Sequence, residues 1–132
     1  IMDCPPSLGI LSLNALAAAD GVIIPCETAY LSLRGLKYVM ELIALVKTKL
    51  NPNLQVVGIL PTKYYGLSLA NQEILQYLLN MRATIPVFSP IGRSVRAEES
   101  PNHGLPLILY APDAPITRQY IDFSLEVITR CQ

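Results

Sequence analysis

Two short apolar runs, each closed by a proline, constrain this chain more than any other feature in it. Val22-Ile23-Ile24 is a β-branched run followed by Pro25, and Leu54-Gln55-Val56-Val57-Gly58-Ile59-Leu60 is followed by Pro61. Runs of this length and composition read as strands, each ended by its proline, in a sheet buried on both faces. Between them Leu36, Val39, Met40, Ile43, Val46 and Leu50 recur at helical spacing, and Asn51-Pro52 stops the pattern. Strands alternating with helices over short connections imply an α/β fold: a mostly parallel sheet with helices on both faces.

The remaining chain continues the alternation. Ser7 can cap a helix over about Leu8–Ala19, with Leu8, Leu11, Ala15 and Ala19 near one face, and Asp20-Gly21 stops it. Leu69–Leu79 reads as a helix with Ile74, Leu75 and Leu78 inward, and Pro86-Val87-Phe88 as a short strand. Residues 89–106 read as irregular, with one helical turn around Val95–Glu99. Pro112 and Pro115 bracket a turn, after which Ile116, Tyr120, Phe123 and Val127 form the stripe of a last helix. No repeat, linker or low-complexity stretch interrupts residues 1–132, which read as a single α/β domain.

With 52% hydrophobic and 15% charged residues, the chain is apolar enough to suggest strands covered on both sides. It offers no membrane span, because Asn14 and Asp20 break the best candidate run, residues 8–25. Ten basic and ten acidic residues cancel, so net charge selects no partner. Three cysteines at wide spacing fit neither a disulfide framework nor a zinc site, and point to reduced thiols and a cytoplasmic location.

The opening, Ile1-Met2-Asp3-Cys4-Pro5-Pro6-Ser7-Leu8-Gly9, carries the chemistry. Ile1-Met2 reads as the last residues of a buried strand, with Asp3 at its carboxyl end. Ligands of open parallel sheets sit beyond such ends. A carboxylate there can hold hydrated Mg²⁺ beside nucleotide phosphates. Pro5-Pro6-Ser7-Leu8-Gly9 would then present backbone N–H groups to a terminal phosphate, with Gly9 allowing close approach and the next helix adding its dipole. Taken alone, the pattern more simply describes an aspartate capping a turn before Pro5.

The longer context is more specific. "MDCPPSLGILSLNALAAADGVIIP", "YLSLRGLKYVMELIALVK", "NPNLQVVGILPTKY" and "GRSVRAEESPNHGLPLILYAP" follow one another in the order found in ParA-type partition ATPases, which the chain resembles over nearly its whole length. The resemblance implies a P-loop NTPase-like fold that begins here inside the second nucleotide motif. No G-x-x-x-x-G-K-[ST] loop or lysine-rich variant occurs in the sequence, so roughly a hundred residues are expected upstream.

The resemblance also implies roles. Asp3 corresponds to the magnesium-associated aspartate, and Pro5, Pro6, Ser7 and Gly9 to the loop that senses the γ-phosphate, making Asp3 and Gly9 the candidate catalytic positions. Thr62 stands where the family borders the adenine. Arg93 lies in a loop near the base, and Arg93 and Arg96 are candidate DNA contacts, or else solvated arginines partnering Glu98 and Glu99. Tyr65 and Leu67 replace an aspartate and an arginine usual in the family, Pro61 a leucine, and Gly92 a proline. His103-Gly104 reads as a turn. The family's cofactors are ATP and Mg²⁺. Its members form ATP-dependent homodimers that bind non-specific DNA, and a ParB-like partner stimulates hydrolysis. Two other readings stand beside this one. The first is a division-site ATPase of the same superfamily acting at membranes, disfavoured by the weakly basic ending "FSLEVITRCQ". The second is a non-enzymatic α/β interaction remnant.

Overall fold

The computed structural model describes residues 1–5, 7 and 9–131. Helix α1 (Ile10–Ala18) leads into strand β1 (Gly21–Glu27). Helix α2 (Tyr30–Lys49) crosses to strand β2 (Gln55–Thr62), and helix α3 (Leu69–Asn80) follows. Three helices close the chain: the short α4 (Val95–Glu99) and α5 (Leu107–Tyr110), then α6 (Pro115–Arg130). β1 and β2 pair in parallel, as a helical crossover between neighbouring strands requires.

Each face of this ladder is covered. On one side Ile24, Cys26 and Ile59 pack with Leu36, Ile43 and Val46 of α2 and Ile74 and Leu78 of α3. On the other, Leu60, Ile23 and Val57 pack with Ile116, Phe123 and Val127 of α6. Fully burying side chains of this kind contributes about 1.5–3 kcal/mol each, so the two clusters rather than any single contact hold the layers together.

Both strands run through the prolines expected to end them, and the ladder explains why. The Thr28 N–H donates to the Thr62 carbonyl, so even-numbered residues of β1 turn their backbone groups to β2 and odd-numbered ones turn away. The missing N–H of Pro25 therefore falls on the side that no described strand occupies, where proline is tolerated. In β2 the odd-numbered residues from Ile59 on face the segment 86–93: the Ile59 N–H donates to the Pro86 carbonyl, and the Phe88 N–H to Ile59.

The next rung of that second ladder would need N–H groups from Pro61 and Pro90, and neither has one. The chain slips, and the Ile91 N–H takes the Pro61 carbonyl instead. Pro86-Val87-Phe88 is accordingly a bridge, Ile59 to Val87, and not the strand its sequence suggests. Lys63 compensates on the β2 side. Its φ of 52° is left-handed, which advances the chain so that Tyr64 pairs with Gly92.

A second irregularity positions the largest core side chain. Val22 pairs with Val56 but Ile23 with Gly58, leaving Val57 as the extra residue of a bulge. The Phe88 ring lies directly on Gly58: a Cβ there would come within 2.7 Å of Phe88 Cε2 and 3.0 Å of the Pro86 carbonyl. Phe88 meets Phe123 edge-on at 5.0 Å, and the Arg130 guanidinium sits 4.0 Å over its face.

The chain departs from its sequence pattern in four further places. Ile1–Cys4 form no strand and are exposed, because no described segment pairs with them and a strand exists only by pairing. The N-cap of α1 is Gly9, without a side-chain cap, and Ser7 instead accepts a 2.7 Å bond from Ser12 Oγ at its carbonyl. The inward residues of α1 are Leu13, Leu16 and the buried Ser12, while Leu11 is 64% exposed. Leu50 and Tyr120 are exposed as well, at the margin of stripes whose other members pack inward.

Two measurements follow from this packing. Gly58→Ala should lower unfolding stability by about 1–3 kcal/mol through overpacking against Phe88. Gly35→Ala, in α2 with nothing within 4 Å, should raise it by about 0.5–1 kcal/mol. Denaturant midpoints read both, and equal shifts would sink the account. Burial, with a smaller contribution from Glu27, pushes the Cys26 thiol up to about 11. At pH 8 it stays protonated and inert. A thiol reagent should therefore titrate only Cys4 and Cys131, both exposed, until denaturant releases the third.

Candidate functional site

The carboxyl ends of β1 and β2 open into a cleft lined by Glu27, Thr28, Ala29, Lys63, Asn71, Arg93 and Glu98. Its floor is backbone. Thr28 is buried, with its N–H donating to the Thr62 carbonyl at 3.0 Å and its hydroxyl to the same oxygen at 3.4 Å. The Arg93 N–H donates to the Tyr64 carbonyl at 3.0 Å, which brings the loop after Ile91 against the end of β2. The connections that leave parallel strands part beyond their carboxyl ends, and this is where such sheets leave room for a ligand.

Charges rim the cleft in two pairs. Lys63 Nζ lies 2.5 Å from Glu27 Oε1, joining the ends of the two strands. Arg93 Nε lies 3.3 Å from Glu98 Oε1. A third pair, Arg96 with Glu99 at 3.5 Å, sits outward on α4. All six side chains are largely exposed, so each pair is worth about 0–1 kcal/mol. Such contacts exchange readily for an incoming anion or cation.

The site residues expected from sequence divide into two groups. Thr62 is the last residue of β2, and Arg93 lies in the loop that bonds to the chain just after it. Thr62 is half-buried with its carbonyl doubly bonded to Thr28, and Arg93 borders the cleft. Arg93 and Arg96 adopt the partnering with Glu98 and Glu99 that the sequence offers as the alternative to DNA contact. Asp3, Pro5, Ser7 and Gly9 lie apart from the cleft lining, exposed, in the segment that leads into α1. Pro6 lies outside the described residues. Gly9 starts the nine-residue helix α1, its carbonyl accepting from the Leu13 N–H.

Asp3 forms no ion pair among the described residues, and no three His, Cys, Asp or Glu side chains there gather into a metal cage. A lone exposed carboxylate fits Mg²⁺, which retains most of its water and takes one or two carboxylates beside phosphate oxygens. His103 stacks on Tyr110 at 4.8 Å beside the left-handed Gly104, as a turn residue does.

Sequence reasoning missed Glu27, Lys63 and Asn71. Lys63 directly follows Thr62, so its place at the strand end was readable. The role of Asn71 was not, because its partners are backbone groups, one of them 43 residues away.

The chain is similar to several known proteins. A family described as an AAA domain matches residues 1–56. The chain is 36% identical over 127 residues to the sporulation initiation inhibitor protein Soj of Bacillus subtilis, covering 96% of this chain and 50% of Soj. It is 36% identical over 132 residues to the chromosome-partitioning ATPase Soj of Thermus thermophilus, covering 100% of this chain and 53% of that protein. The chromosome partitioning protein ParA of Myxococcus xanthus is 39% identical over 132 residues, with 98% of this chain and 46% of ParA covered.

The chain thus spans about half the length of the curated relatives it matches. Among solved structures, cobyrinic acid a,c-diamide synthase from Mycobacterium smegmatis with bound ADP and magnesium superposes with a TM-score of 0.61 at 39% identity, over 70% of this chain and 38% of that one. Apo McdA of Cyanothece shares the fold, with a TM-score of 0.74 at 20% identity over 92% of this chain and 48% of McdA. Over nearly its whole length, the chain is thus similar to ParA-type partition proteins.

Proposed function

We propose that these residues form part of an ATP-binding, ATP-hydrolysing partition protein, which uses Mg²⁺, dimerises on ATP, binds DNA without sequence preference and answers to a ParB-like stimulating partner. The observation that carries the reading is the alignment with two chromosome-partitioning proteins over 132 residues each. A 39% identical structure with bound ADP and magnesium supports the nucleotide and the ion.

Within this reading the residues divide the work. The cleft at the ends of β1 and β2 takes the base end of the nucleotide, with Thr62 and Arg93 at its border. Asp3 holds the hydrated ion, and Ser7 and Gly9 turn backbone N–H groups, backed by the α1 dipole, toward the terminal phosphate. Mg²⁺ supplies charge neutralisation for phosphoryl transfer to water, and the protein supplies position. The 132 residues contain no lysine-bearing phosphate loop, so phosphate neutralisation falls to residues outside them. Arg93 and Arg96 reach DNA by exchanging Glu98 and Glu99 for phosphates, at a cost of about 0–1 kcal/mol per pair.

Titration with Mg-ATP and a phosphate-release assay test the first half. The complete protein should bind and turn over. Asp3→Ala should lose Mg²⁺-dependent turnover by at least about a hundredfold without a change in melting temperature. Residues 1–132 alone should neither bind nor hydrolyse. Saturable turnover by residues 1–132 would mean that a complete phosphate site exists within them. For DNA, Arg93→Ala with Arg96→Ala should weaken non-specific binding and flatten its salt slope by about two. A wild-type slope in that double variant removes both arginines from the interface.

A further inference from the structure

Among the described residues, Asn71 is the one side chain that ties both walls of the cleft to a helix. It occupies the first turn of α3, where the cap at Ser68 fixes it: Ser68 Oγ accepts from the Asn71 N–H at 3.4 Å. From there its amide bonds in two directions. Asn71 Nδ2 donates to the Thr28 carbonyl at 2.8 Å, 43 residues away in sequence. Asn71 Oδ1 accepts from the Tyr65 N–H at 3.0 Å. Thr28 is 2% exposed, and its N–H and hydroxyl are already committed to Thr62. Its carbonyl is therefore the free handle by which the end of β1 can be anchored, and Asn71 takes it.

Tyr65 belongs to the other wall, the β2–α3 connection. This wall carries the left-handed Lys63, a conformation costly for a residue with a Cβ. The neighbouring Tyr64 is pinned by the Ile91 and Arg93 rungs. A strained residue persists where its surroundings over-determine it, and here Asn71 supplies the bond that closes the turn after it. Only a side chain that donates at one end and accepts at the other can hold both loops. Aspartate lacks the donor, and leucine, of similar size, lacks both.

We propose that Asn71 is a positioning residue. It sets the spacing between the exit of β1 and the β2–α3 loop, and so the affinity of the cleft for the base end of the nucleotide. The proposal rests on the reading that the cleft takes that end. It separates binding from chemistry, because Asn71 touches the walls of the cleft and lies apart from the Asp3–Gly9 segment assigned to the phosphates.

The test uses the complete protein, with Mg-ATP as probe. Three forms are compared: wild type, Asn71→Leu, and Val46→Ala. The last empties a fully buried site in α2 and serves as a control for general loosening. Asn71→Leu should raise the Kd and KM for ATP about tenfold, with kcat at saturation within about twofold of wild type. Val46→Ala should lower the melting temperature while leaving Kd unchanged. If Asn71→Leu does not fold, Asn71→Ser, small enough to admit a bridging water, is read by the same criteria. Wild-type affinity in the Asn71 variant overturns the positioning role while leaving the cleft as the nucleotide site. Equal weakening in Val46→Ala overturns it too, because the effect is then general. No Mg-ATP binding by the wild-type protein overturns the nucleotide reading and the role of Asn71 with it.

Discussion

The parallel ladder between β1 and β2 is the contact on which everything else in this chain depends. It fixes which strand ends lie side by side and turns alternate side chains to opposite faces. One core, with α2 and α3, forms on one face, and another, with α6, forms on the opposite face. Without the ladder, Thr28 and Thr62 would not meet, and the cleft above them would have no floor. The site is a property of backbone pairing first and of side chains second.

Much of that arrangement was legible in the residues. The β-branched runs and the periodic stretch between them implied two parallel strands with a crossover helix, and both strands and α2 are there. What local pattern could not show was which side of a strand each proline faces. Pro25 and Pro61 both lie inside their strands because hydrogen bonding alternates sides along a parallel strand. The missing N–H groups of Pro61 and Pro90 then broke the third segment, although Pro86-Val87-Phe88 taken alone has the composition of a strand.

The candidate site was legible in a different proportion. Thr62 and Arg93 were readable from their places after a strand and in a basic loop; Arg93 lines the cleft, and the Thr62 carbonyl accepts from Thr28 at its floor. Asp3 was readable as a carboxylate, but the strand supposed to aim it is absent from the described residues, because Ile1 and Met2 have no paired neighbour there. Asn71 left no trace in the sequence, since its whole significance lies in where the loops of residues 28 and 65 come to rest.

Pro25 has a consequence of its own. Among the described residues nothing pairs with the second margin of β1, on which Gly21, Ile23 and Glu27 turn their amide hydrogens outward and Pro25 leaves a blank in the middle of that row. A chain laid along this margin can form rungs on either side of the blank but must bridge one unmatched carbonyl at it. Arbitrary extended segments are therefore discouraged from zipping on. Only a segment whose own bonding pattern tolerates the blank, with its unmatched carbonyl turned to water or another donor, can sit there in register. One imino acid in this way filters what may join the sheet, without a side chain that touches the newcomer.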